Sequence, residues 1–135
     1  MTYCSVLEQV NSLTDRLGKG IDPGIKHAVV AFNIAGFPTT MSCEGHMKQW
    51  GTPFPWVDLD LTDALRIKLE SFMDKFYLTR EKNMLCLKLV EGIRVQSSNQ
   101  MPYSTLVKSY FRDETILAYA RREMDAFADY LLELK

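Results

Sequence analysis

The chain contains no apolar run approaching the ~20 residues that a bilayer-spanning helix requires. Its first residues, Met1-Thr2-Tyr3-Cys4-Ser5, lack the basic-then-apolar pattern of a secretory leader. Both absences predict a cytoplasmic chain with no membrane partner. Cysteine is scarce: Cys4, Cys43 and Cys86 are odd in number and far apart, which argues against a disulfide framework and fits free thiols in a reducing compartment. Only two histidines are present, His27 and His46, too few for the two matched ligand pairs of a structural zinc site. There is no Lys/Arg tract and no acidic tail; 16 basic and 17 acidic residues are interspersed, giving a formal net charge of −1. The footprint of a protein that neutralises many phosphates is therefore missing, which argues against a nucleic-acid partner.

What is present describes one ordinary globular domain over residues 1–135. A hydrophobic content of 47% with 24% charged residues supplies a core and weighs against disorder. Val6, Val10, Leu13 and Leu17 recur at helical spacing until Gly18 and Gly20. Asp22-Pro23 is a cap followed by a first-turn proline, opening a second helix with Ile25, Val29 and Phe32 on its buried side and Gly36 as its stop. The pattern then changes. Thr39-Thr40-Met41 and Phe54 to Leu59 read as strands, with Val57 and Leu59 on one face and Trp56 and Asp58 on the other.

Thr62 and Asp63 cap a third helix whose stripe is Leu65, Leu69, Phe72 and Phe76. Leu85, Leu87 and Leu89, then Ile93 and Val95, flank Glu91-Gly92 and predict a hairpin. Residues 97–111, with Ser98-Asn99 and Pro102, have no clean period and read as a connector. Asp113 caps a last helix with Ile116, Ala120, Phe127, Leu131 and Leu134 on one face and Arg121, Arg122 and Asp125 turned outward. The order α-α-β-β-α-β-β-α predicts an α+β fold, a two-layer sandwich of an antiparallel or mixed four-stranded sheet with helices packed on one face. The other sheet face, carrying Trp56, Asp58, Lys88 and Arg94, is left for water, a ligand or another subunit.

Reactive chemistry concentrates in one place, Gly36 to His46, where hydroxyls, a thiol, a carboxylate and an imidazole surround Gly45. Cys43, Glu44 and His46 are the candidate catalytic groups: Cys43 and His46 are three apart, so one turn brings the thiol to the imidazole that would activate it. Cys-x-x-His is also half of a zinc site, with Glu44, His27, Asp58 or Asp60 as further donors, but no second half is present and no metal is assigned. A third reading is a ligand pocket without covalent chemistry. Thr39, Thr40, Ser42 and Gly45 would supply donors to a phosphate or carboxylate, Trp50 and Trp56 an aromatic wall, and Asp58 and Arg94 charge. Each residue also has a packing explanation: β-propensity for Thr39 and Thr40, a left-handed turn for Gly45, core packing for Trp56. Arg121-Arg122 and Lys135 read as a solvated face, and His27 as a surface imidazole.

The run Gly20-Ile21-Asp22-x-x-Ile25, Val29-Val30-x-Phe32-Asn33 and Phe37-x-Thr39-Thr40-x-Ser42-Cys43-x-Gly45 resembles the N-terminal signature of the tRNA wybutosine-synthesis methyltransferase family of the third enzyme in that pathway. The likeness covers about a fifth of the chain; the family's closing Arg is His46 here and its middle Ser is Met41. It implies a shared helix–strand–loop scaffold and, by analogy, a nucleotide or modified nucleoside as ligand. Thr39-Thr40-x-Ser42-Cys43-Glu44-Gly45-His46 with Pro55-Trp56-Val57-Asp58 downstream is similar to a group of small bacterial proteins, which implies no activity. No cofactor is named by any of these residues. Two functions follow as expectations. One is an interaction module in which the 39–46 loop is structural and the open sheet face or the long last helix forms a homodimer. The other is an enzyme or ligand-binding protein that acts on a nucleotide or modified nucleoside through Cys43, Glu44 and His46.

Overall fold

Residues 2–12, 20–45, 54–80, 86–97 and 113–134 are described by the structure, a computed structural model, with the backbone alone for 113, 114 and 116. Among them the chain forms α1 (Tyr3–Ser12), a 3-10 turn (Pro23–Ile25) running into α2 (Lys26–Ile34), β1 (Thr39–Cys43), β2 (Trp56–Leu59), α3 (Asp63–Thr79), β3 (Leu87–Val90), β4 (Arg94–Ser97) and α4 (Asp113–Glu133). This is the expected α+β order, and the four strands form one antiparallel sheet in the order β1-β2-β4-β3. No helix among the described residues is long and apolar enough to cross a membrane. Leu13, Leu17 and Gly18, Leu85, the 98–111 connector and the Ile116 side chain lie outside what is described.

The hydrophobic pattern decides which faces close. Val57, Leu59, Leu87 and Val95 point from the sheet into the core and meet Leu69, Met73 and Phe76 of α3 and Met124, Phe127 and Leu131 of α4. α2 runs through the middle of this layer. The sequence pattern gives it a single stripe, yet Ala28, Val29, Val30, Ala31, Phe32 and Ile34 are all buried. A helix apolar all round is one covered on all sides, and here α1 contributes Val6 and Val10 to the cover. Aromatic rings join the layers: Phe127 lies 5.8 Å from Phe32 and 5.2 Å from Phe76, and Phe37 lies 6.0 Å from Phe72, centroid to centroid. Offset and edge-on pairs of this kind add to simple burial.

Register fixes the outer face. Trp56 pairs with Gln96, Asp58 with Arg94 and with Met41, and Cys43 with Trp56. These side chains therefore share the surface away from the helices, as alternation in the hairpins predicts for Trp56, Asp58 and Arg94. The pairing of β1 slips between Thr39 and Met41, a bulge that sends Thr39 to the side of Leu59 and Met41 to the side of Asp58. Glu91 and Gly92 both take positive φ, 54° and 76°, and Ile93 N–H returns to Val90 O at 3.2 Å. This is the tight turn expected of that dipeptide.

Three details of the sequence reading are corrected. Leu134 is exposed, because α4 ends at Glu133 and carries Leu134 past the core. Asp125 is half-buried. Asp22 occupies the predicted cap position, but its side chain makes no cap bond to the helix it precedes; that role falls to a residue far away in sequence.

Candidate functional site

The 39–45 segment sits between the N-terminus of the α2 helical run and the side of α4. Glu44 Oε2 accepts the Gly24 N–H at 2.7 Å, so it satisfies an orphan donor that every helix start carries and places its charge at the positive end of the dipole. Gly24 makes room for this. A Cβ there would lie 3.1 Å from Glu44 Cβ and collide with its carboxylate. In exchange, Asp22 Oδ2 accepts the Glu44 N–H at 3.3 Å. The backbone turns sharply next, since Gly45 has φ +86°, a conformation that side chains disfavour. Arg121 of α4 closes the joint: its Nε donates to Glu44 O at 2.9 Å, its Nη2 donates to Gly45 O at 3.4 Å, and Nη2 lies 3.8 Å from Glu44 Oε1. Arg121 is thus not part of a solvated face; its long side chain lies back across the chain.

Cys43 is half-buried. Burial pushes its thiol up from the ordinary value, while the Gly45 N–H, 3.4 Å from Sγ, pulls the other way. Net elevation favours the thiol over the thiolate, opposite to what a nucleophile needs. Thr39 is drawn inward: Asn33 Nδ2 donates to its Oγ1 at 2.9 Å and to Val29 O at 2.8 Å, and Thr39 N–H donates to Asn33 Oδ1 at 3.4 Å. Ser42 shares the face of Val57, whereas Thr40 and Met41 are exposed. His46 and Trp50 lie outside the described residues.

On the outer sheet face, Arg94 Nε donates to Asp58 Oδ1 at 2.5 Å and Nη2 to Oδ2 at 2.9 Å, a two-pronged pair. Its guanidinium carbon lies 3.9 Å from the centre of the Trp56 ring. Hydrogen bonding to Asp58 raises the Arg94 pKa further above its ordinary value. The structure therefore brings Cys43, Trp56, Asp58 and Arg94 together on one face. Glu44 and Asp58 are held on different partners, Gly24 and Arg94. Among the described residues no three His, Cys, Asp or Glu side chains gather as a metal site.

Two polar networks were not anticipated. Glu123, only 3% exposed, accepts the Tyr77 hydroxyl at 2.7 Å and two Arg80 donors at 2.9 and 2.7 Å. Tyr77 oxygen accepts the Leu87 N–H at 2.6 Å, which ties β3 to α3 and α4. Burial, and then the bond to Glu123, push the Tyr77 phenol far above its ordinary value. An acid inside the Ala120–Phe127 stripe was the available signal. The second network joins three helices: Tyr3 OH meets His27 Nδ1 at 2.8 Å and His27 Nε2 meets Asp129 Oδ1 at 2.7 Å. His27 is therefore a bridge between α1, α2 and α4.

Beside it, burial pushes the Asp125 carboxyl above the ordinary range; His27 opposes this, Asp129 adds to it and Arg121 opposes it. A raised native pKa means that the native state binds the proton more tightly than the unfolded state does. Stability is therefore lost as pH rises from the ordinary carboxylate value through the native one. Asp125→Asn is expected to be more stable than the parent at neutral pH and equal to it in strong acid, in thermal midpoints measured against pH. A variant less stable at neutral pH would reverse the sign of this burial effect.

A scan of protein-family models, a search of curated proteins and a search of solved structures each find no match to this chain.

Proposed function

We propose that this protein is an interaction module that functions as a homodimer, with the 39–45 segment as an internal joint. The observation that supports this reading is the occupation of Glu44: its carboxylate, N–H and carbonyl all bond inside the fold, to Gly24, Asp22 and Arg121. A general acid or base works through its carboxylate oxygens, and here Oε2 holds the Gly24 N–H while Oε1 faces the Arg121 guanidinium at 3.8 Å. The thiol beside it is held toward its protonated form. With Glu44 and Thr39 engaged inside the fold, this reading assigns function to the surfaces.

A second reading, a ligand-binding protein or enzyme for a nucleotide or modified nucleoside, is favoured by one observation. The Trp56 ring under Arg94 is the kind of flat surface on which a base stacks. The two are separated by sedimentation across a concentration range and by thermal shift with a nucleotide and nucleoside panel, on the parent, Cys43→Ala and His46→Ala. The module reading expects concentration-dependent association in all three and no ligand-induced stabilisation. A parent that stays monomeric at every concentration, together with a dimer-strengthening surface variant that also does, would overturn the module reading, and a nucleotide shift abolished by either substitution would establish the second.

A further inference from the structure

We infer that a second copy of this chain docks on the outward face of α3, helix beside helix and parallel about a twofold axis. This rests on the homodimer reading above and names its surface. α3 already buries Leu69, Met73 and Phe76 on its inner side, yet Ile67 is 63% exposed and Leu78 80% exposed. Eleven positions are three helical turns, so the two lie on one line down the outside of the helix. Ala64, exposed, and Ser71, half-buried, continue that line. With Asp74 they follow the alternating three-and-four spacing of the seam in a two-stranded helix pair: Ala64, Ile67, Ser71, Asp74, Leu78.

Charge selects the occupant. One flank of the seam carries Asp63 and Glu70, the other Lys68 and Lys75, and all four are exposed. In a parallel pair, a residue on the first flank faces the one five positions later on the other copy. Asp63 then meets the partner's Lys68, and Glu70 meets the partner's Lys75, and symmetry repeats both contacts. In an antiparallel pair each flank meets its own kind, acid against acid and Lys against Lys. The pattern is therefore complementary to itself in one orientation. Asp74 is the discordant member, since the seam sets it against the partner's Asp74. A polar seam residue lowers affinity while fixing register, and a contact of little more than two heptads is small beside stable interfaces. The dimer is accordingly weak and concentration-dependent.

Sedimentation equilibrium from micromolar to millimolar protein tests this, with thermal unfolding to confirm that each surface variant folds. Ile67→Glu and Leu78→Glu should each raise the dimer Kd at least ~10-fold, and Asp74→Leu should lower it at least ~10-fold. Glu70→Lys should weaken association and Glu70→Lys with Lys75→Glu should restore it. Ala64→Cys in a Cys4→Ser background should form a symmetric disulfide on mild oxidation, which only the parallel orientation permits. A parent dimer indifferent to Ile67→Glu and Leu78→Glu would overturn the α3 surface while leaving the module reading in place. Parent and Asp74→Leu proteins that both stay monomeric throughout would sink the two together, and a charge swap without restoration would overturn the orientation.

Discussion

Replacing Arg80 with Ala is expected to destabilise the fold by about 3–5 kcal/mol at neutral pH. Arg80 supplies the one full positive charge that the Glu123 carboxylate touches among the described contacts, through two donors on Oε1. Its own side chain is 40% exposed and would lose little by returning to water, but Glu123 is 3% exposed and cannot follow. The substitution therefore leaves a buried carboxylate with one neutral donor, Tyr77. Desolvation of an uncompensated charge is the costly event, not the loss of attraction itself. Two companions separate these causes. Arg80→Lys keeps the charge and loses the two-pronged geometry, for about 1–2 kcal/mol. Arg80→Ala with Glu123→Gln removes the stranded charge and should recover at least about half of the single-variant loss. Urea unfolding of the four proteins measures all of this, and a loss below about 1 kcal/mol for Arg80→Ala would show that the carboxylate finds other neutralisation.

Glu44→Ala is expected to cost about 2 kcal/mol, assembled from an orphaned helix-start donor at about 0.5–2 and a lost charge–dipole contact at about 0.3–1. Gly24→Ala attacks the same contact from the other side, because its new methyl group would occupy the space of the carboxylate; about 1–2 kcal/mol is expected. The two substitutions should not add. Once either is made, the 2.7 Å bond is gone and the other has less to remove, so a double-mutant cycle should return a coupling of at least about 0.5 kcal/mol. Additive costs would mean that Glu44 contributes through Arg121 and Asp22 and that the bond to Gly24 is incidental.

The sequence made local events legible and distant ones not. Asp22-Pro23 marks where the helix run begins, since a proline in the first turn lacks only an amide that would be orphaned. Nothing in residues 20–34 says that the acceptor for Gly24 arrives from position 44. The outer face of the sheet was readable because strand alternation and the Glu91-Gly92 turn jointly fix which side chains share a surface, and Trp56, Asp58 and Arg94 meet there. Thr39 escaped that logic, as a bulge one step later reverses the parity of β1. Arg121 was misread for a different reason. Helical position gives the direction of a Cβ, and a guanidinium carried on a long flexible stem beyond it can lie back over a neighbouring turn. Glu123 stood three residues after Ala120 and four before Phe127, an acid within an apolar stripe. That spacing demanded a partner, but Tyr77 and Arg80 become candidates only when α3 and α4 are packed side by side.

The slipped step in β1 also bears on how crowded copies of this chain behave. Among the described residues β1 and β3 form the two margins of the sheet, and straight margins recruit further strands into fibrils. On one side the ladder is thrown off at Thr39 and Met41; on the other, β3 offers only Leu87–Val90 with the exposed ammonium of Lys88 in its middle. Among the described residues neither rim presents an uninterrupted, uncharged template, a backbone feature that disfavours edge-to-edge stacking independently of the helices.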